Sequence, residues 1–193
     1  SAFGKSFRTS REKELIKYNE EFLNINLKYK NSSREGYIKV QIADKKNVIV
    51  NGIKIKKLSD LLGNINVVLF TPDDINILKN GPAQRRRFLD MMIGQIRPNY
   101  VHNLNMYLKV LEQRNNYLKQ LKSTNGNYDL LDIWDEKLAE YANKVCLYRL
   151  EFIKKITDKI NEIHSKITEN KEEIRVEYLT DCENKEKLLS LIR

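Results

Sequence analysis

Three consecutive arginines, Arg85, Arg86 and Arg87, follow Gly81-Pro82-Ala83-Gln84 in the middle of the chain. Proline suits a first helical turn, because its missing N–H has no helical partner there, so Pro82 is expected to open a helix. Cations in the first turns oppose the helix dipole, at about 0.3–1 kcal/mol each when exposed. Three of them together call for acidic partners, either side chains or the phosphates of a ligand. Two readings stand side by side. In the first, Arg86 pairs with Asp90 four residues on, and Asp73 or Asp74 neutralises another arginine. In the second, at least one arginine faces phosphate.

Other chemistry-bearing residues are sparse. Gly4-Lys5-Ser6 has the ending of a phosphate-binding loop but lacks the earlier glycine the motif requires, so it is not read as one. His102 and His164 have no companions at ligand or triad spacing and read as ordinary helix residues. Cys146 and Cys182 lack metal or redox spacing and read as idle thiols rather than a disulfide. Arg8 sits in a polar, loop-like segment, and as a lone arginine it reads as solvated. No Ser-His-Asp set, paired catalytic carboxylates or zinc site is present in the pattern, so no complete catalytic or metal centre is expected. Lys109, Arg114, Lys119, Lys122, Lys154, Lys155, Lys159 and Lys166 line helical stretches. They are a solvated face in one reading and phosphate contacts in the other.

The bulk properties agree with either. In 193 residues, 35 Lys and Arg against 26 Asp and Glu give a net charge of +9, which favours contact with polyanions. Hydrophobic content of 41% and charged content of 32% fit a helix-rich globular chain. No run of about 18 apolar residues occurs, so no transmembrane helix is expected. No secretory h-region is visible either, and a cytoplasmic location is expected.

The elements that must position these residues fall in two stretches. Residues 21–57 predict an antiparallel meander: a mostly alternating run from Phe22 to Tyr29, a clean alternation at Ile38, Val40 and Ile42, and Asn51-Gly52 between two apolar runs. A short helix capped by Ser59 and a buried strand over residues 65–70 follow. Beyond residue 82 the period turns helical. One helix runs to Pro98, a second spans about 99–122, and residues 123–127 form a loop. A third runs from Asp129 to Ile167, with apolar residues from Trp134 to Ile167 at steps of three and four. Ile174, Val176 and Tyr178 alternate like one more strand, and Glu183–Arg193 is a final helix. The fold class expected is α+β. A start without a first element and an end inside a helix suggest a piece of a longer protein.

The stretch from residue 72 to 90 resembles a specific family pattern, filled here by Pro72, Asp73, Ile77, Leu78, Gly81, Pro82, Arg85, Arg86, Phe88, Leu89 and Asp90. Asn80 stands where the first glycine of the pattern belongs, and its tolerance of left-handed geometry should preserve the turn. Residues 3–10, 50–52, 58–63, 66–70 and 134–139 look similar to the same family. The chain is thereby similar to the bacterial RecF recombination and DNA-repair family, ABC-type ATPases related to SMC heads. The resemblance implies that residues 1–81 are the β-rich remainder of ATPase lobe I, residues 82–170 a helical lobe II with a long antiparallel helix pair, and residues 171–193 a strand and helix returning toward lobe I. It implies a P-loop before residue 1 and a signature motif and Walker B strand after residue 193. ATP and Mg²⁺ would then belong to the intact parent, and none is expected on this chain alone. Arg8 falls where SMC heads carry an arginine loop, and Thr71–Asp74 resembles a Q-loop in which Asp73 or Asp74 can reach Mg²⁺; the other reading of Asp74 is a cap of the following helix. DNA-facing candidates are Arg85, Arg87, Lys109, Arg114 and Lys119. The implied parent is a weak ATPase that dimerises on ATP, binds single- and double-stranded DNA at gaps or junctions, and works with RecO and RecR to load RecA in repair, recombination, replication and the SOS response. The alternative is a non-enzymatic helical module that binds nucleic acid or partner helices.

Overall fold

The structure, a computed structural model, describes Thr9 and residues 11–30, 34–121, 128–182 and 184–193. It falls into two compact units, Ser1–Gly81 and Pro82–Arg193. The architecture is α+β: an antiparallel sheet in the first unit and helices in the second.

The sheet contains β1 (Leu23–Lys30), β2 (Glu35–Ile42), β3 (Lys46–Val50) and β4 (Ile53–Lys54), in the order β1-β2-β3-β4 with every neighbour antiparallel. The period-2 alternation sets its register. Ile38 lies opposite Val50 and Val40 opposite Val48. Ile38, Val48 and Val50 turn inward and close a core with Leu61, against which Tyr29, Ile55 and Ile65 pack. Asn51 (φ 48°) and Gly52 (φ 86°) both take the positive φ of a type I′ turn. Asn51 also ties the turn to β2: its Oδ1 accepts the Tyr37 N–H at 2.8 Å, and its own N–H donates to the Tyr37 carbonyl at 3.0 Å. Gly36 lies beneath this network. A Cβ there would stand 2.5 Å from the Tyr29 hydroxyl and 2.7 Å from Asn51 Oδ1, so no side chain fits without displacement. An L-residue at the φ of Gly52 is strained, and Gly52→Ala is expected to cost about 1–2 kcal/mol. Equilibrium urea unfolding checks this, and an unmoved midpoint would contradict it.

Two expectations for this stretch change. The short helix after residue 57 is a 3-10 turn, Leu58–Leu61, not an α-helix. Residues 65–70 form no strand: Val68 is 89% and Phe70 85% exposed. A strand exists through its ladder, and no strand among the described residues pairs with this run. Instead a 3-10 turn, Pro72–Ile75, leads into α1 (Asn76–Lys79).

The second unit holds α2 (Pro82–Ile96), α3 (Pro98–Leu121), α4 (Asp129–Thr168) and α5 (Lys185–Ile192). Pro82 and Pro98 each occupy a first helical position, where proline is tolerated, and only Arg97 separates α2 from α3. α3 and α4 run antiparallel: Tyr100 meets Tyr148 edge-on at 5.6 Å, and Arg114 pairs with Asp135. α4 spans 40 residues, a length of roughly 60 Å. Leu89, Ile93, Tyr100 and Val145 form the shared core of α2, α3 and α4.

The strand expected at 174–178 is absent, and the segment after α4 is extended but unladdered. Its alternation has another cause. Arg149 donates to the Tyr178 hydroxyl at 2.9 Å, Cys146 Sγ lies 3.5 Å from Thr180 Oγ1, and the Asn143 amide donates to the Cys182 carbonyl at 2.9 Å. The segment thus runs back along α4, with every second side chain turned onto the helix. Asn184 then caps α5, accepting the Lys187 N–H at 2.8 Å. Among the described residues no helix is long and apolar enough to cross a membrane.

Candidate nucleic-acid interface

Successive residues of α2 advance by about 100° around its axis. With Leu89 and Ile93 buried in the core, Arg85 and Arg86 flank that stripe one turn earlier and Arg87 points to the opposite side. All three arginines are exposed, as is Phe88 at 38%. The cations therefore ring the first two turns of the helix, near its positive dipole end, an arrangement that attracts anions.

The pairing of Arg86 with Asp90 does not occur. Asp90 Oδ1 accepts from Arg149 Nη2 at 2.7 Å, from Arg149 Nε at 3.0 Å and from the Tyr100 hydroxyl. Arg149 comes from the middle of α4, 59 residues away, and its remaining nitrogen reaches Tyr178. One carboxylate thus locks α2 to α3, α4 and the returning segment. A partner inside the fold outcompetes one on the helix surface because the buried pair is shielded from water, its side chains being 12% and 21% exposed. On α3 the Tyr107 hydroxyl is raised by burial and then by Cys182, against the pull of Arg149 and, least, of Arg86.

Burial first, and then the hydrogen bond to Asp90, raises the Tyr100 hydroxyl well above its ordinary range, against the pull of Arg149. Burial by itself would lower the Arg149 guanidinium, but Tyr100, Tyr178 and Asp90 outweigh it and hold the charge in place. The tyrosine pKa is higher folded than unfolded, so its stabilisation is complete below the unfolded value of about 10 and is lost as pH rises above it. Tyr100→Phe is expected to cost about 1.5–3 kcal/mol at neutral pH, the value of a hydrogen bond to a charged group. It should also flatten the fall in stability above pH ~10, Tyr107 supplying the residual slope. Urea midpoints from pH 7 to 11 read both effects.

The remaining candidates separate clearly. Lys109 and Lys119 are exposed on α3. Arg114, expected beside them, is turned inward: its Nε bonds Asp135, which is 4% exposed, and its Nη2 donates to the Ile192 carbonyl at 3.0 Å. It joins α3, α4 and α5, and Arg193 adds a 3.2 Å pair with Asp132. Asp74, expected near nucleotide, caps its own turn: its Oδ2 accepts the Thr71 N–H and the Thr71 hydroxyl. The Thr-x-x-Asp spacing was present in the sequence, and the bond from the Thr71 N–H to the Asp74 carboxylate is one half of a capping box. Pro72 opens that 3-10 turn, and Gly81 precedes α2. Neither Asn80 nor Gly81 has positive φ, so asparagine fits there without drawing on left-handed geometry. Arg8, Gly4-Lys5-Ser6, the loop at 123–127 and Glu183 lie outside the described residues, as does the side chain of Asp73. No group of three or more His, Cys, Asp or Glu is placed to hold a metal among the described residues. Tyr100, Arg149 and Asp135 were not singled out by spacing, and Tyr178 was read only as part of a strand.

No protein-family model matches the chain. The DNA replication and repair protein RecF of Clostridium acetobutylicum is 39% identical over 189 residues, covering 97% of this chain and 52% of that protein. The RecF of Clostridium perfringens strain SM101 is 40% identical over 196 residues, covering 98% and 54%. A solved structure of the recombination mediator protein RecF with ATP, of the RecFOR pathway, superposes with a TM-score of 0.84 at 33% identity, over 97% of this chain and 53% of that one. Its counterpart with ATPrS gives 0.85 at 32%, over 97% and 52%. The agreement extends over both units, and with it the chain belongs to the RecF family, spanning about half the length of the curated relatives it matches.

Proposed function

We propose that the chain is the central part of a RecF-type recombination mediator that binds ATP and Mg²⁺, dimerises on them and engages DNA at gaps or junctions. With RecO and RecR it would assist the loading of RecA. The observation that carries this reading is the superposition of 97% of the chain on a RecF–ATP structure with a TM-score of 0.84. In this assignment residues 1–81 belong to ATPase lobe I and residues 82–170 to helical lobe II, with 171–193 leading back toward lobe I. Hydrolysis would be phosphoryl transfer to water, slow and used as a switch. No complete P-loop motif is written in the chain's 193 residues, and the contribution assigned to them is positioning. Arg8 and Asp73 are the residues assigned to the nucleotide; Asp74 has its Oδ2 committed to Thr71. Arg85, Arg87, Lys109 and Lys119 are assigned to DNA phosphates.

Sedimentation of the full-length polypeptide with and without ATP and Mg²⁺ tests the reading. The expected result is a nucleotide-dependent shift from monomer to dimer that Arg8→Ala weakens. Nucleotide bound without any shift would overturn the switch and leave a helical binding module.

A further inference from the structure

The outward face of α4 carries a pattern unrelated to the arginine cluster. Ile133, Lys137, Glu140, Lys144, Leu147 and Glu151 follow one another at alternating steps of four and three, the a/d spacing along which a second helix packs. This seam lies opposite the buried Leu138 and Val145, and two of its six residues are apolar: Ile133 is 51% and Leu147 50% exposed. The two lysines are held in place by aromatic neighbours. Lys137 Nζ lies 5.8 Å from the centre of the Trp134 ring, and Lys144 Nζ 5.3 Å from that of Tyr141. One heptad apart, they are spaced by roughly 10 Å, the repeat of side chains on a facing helix. The seam's own carboxylates are already matched. Lys144 bonds Glu140 and, with Lys185 of α5 and Lys137, keeps its carboxyl below the ordinary range. Glu151 pairs with Lys155 and Arg97. Five cations therefore surround two carboxylates, leaving the face positive. An open groove continues it, where Asn99 and His102 of α3 stand beside Lys144 and Leu147.

We propose that this face of α4 docks an acidic amphipathic helix of a partner protein, with carboxylates over Lys137 and Lys144 and aliphatic side chains against Ile133 and Leu147. Half-exposed aliphatics in line with cations distinguish a protein partner from a phosphodiester, which has nothing to gain from them. None of the residues of this face is among those assigned above to nucleotide or DNA.

The test uses a fluorescein-labelled three-heptad helix with leucine at a and d and glutamate at e and g, titrated with the chain and read by anisotropy. Oligothymidylate is the competitor. Saturable binding is expected, weakened at least about tenfold by Lys137→Glu/Lys144→Glu. A peptide with lysine in place of glutamate should restore binding to that variant. Leu147→Ser should weaken the peptide and leave oligothymidylate binding unchanged. Three results would overturn the proposal: no saturable binding; displacement by oligothymidylate with no effect of Leu147→Ser, which makes the face a nucleic-acid contact; or self-association that Leu147→Ser abolishes, which makes a second copy the occupant.

Discussion

Arg149→Ala is expected to destabilise the helical unit by about 3–5 kcal/mol, the cost of leaving one partner of a buried ion pair uncompensated. Asp90 would keep only the Tyr100 hydroxyl, and the Tyr178 hydroxyl would lose its donor. A protein's net stability is about 5–15 kcal/mol, so this is a large share of it. Asp90→Ala should cost a similar amount, because it strands the guanidinium instead. The double variant Asp90→Leu/Arg149→Met separates charge from packing. It removes both charges and keeps the volume, and such replacements are often neutral or stabilising. Near-native stability in the double variant beside two strongly destabilised singles would identify stranded charge as the cause. An Arg149→Ala urea midpoint within about 1 kcal/mol of the parent would show that water reaches the pair and that it is worth no more than a surface bridge. Because Asp90 closes the same helix that carries Arg85–Arg87, loosening it also frees the cations that α2 orients.

The elements with local signals were legible in the residues. Asn51-Gly52 marked the hairpin because both residues take positive φ, Pro82 marked a helix start because a proline ring fits a first turn, and Pro98 marked the break between two helices. The long period from Trp134 to Ile167 marked α4. What failed were inferences that depend on a partner distant in sequence. Val68 and Phe70 have the composition of a strand, but composition supplies no ladder. Val176, Tyr178 and Thr180 have strand periodicity because an extended segment has two sides, and here one side lies on α4 rather than in a sheet. Spacing offered Asp90 a partner four residues away, whereas folding brought one from 59 residues away into a drier site. Arg114 looked like one more cation in a basic row. Its position gave it away: it stands four residues after Val110 and seven before Leu121, both buried, so it shares the packed stripe of α3.

Reversing the charge at Arg85 and Arg87 is expected to weaken binding of a gapped duplex by about a hundredfold at low salt, on the reading that these side chains meet phosphate. Each lost phosphate contact should also lower the slope of log K against log salt by about one. The salt slope is the decisive readout, since a merely misfolded variant loses affinity without a defined change in the number of ions released. Folding should be nearly indifferent. Both positions are exposed on α2, and surface substitutions of this kind usually lie within about 0.5 kcal/mol. Arg114→Gln provides the contrast. Its side chain is 16% exposed and bonds Asp135 and the Ile192 carbonyl. Its loss should therefore lower stability and leave the salt slope of the folded protein intact. The two sets of variants thus move different quantities, one the ion release and the other the urea midpoint. An unchanged slope in Arg85→Glu/Arg87→Glu would remove the first turns of α2 from the DNA contact and pass the role to Lys109 and Lys119. Three arginines at the positive end of a helix are unfavourable to that helix by themselves. Their exposure, with the nearest motif carboxylate, Asp90, turned inward to Arg149, keeps their outer faces open to the phosphates of a ligand, the contact that the salt slope measures.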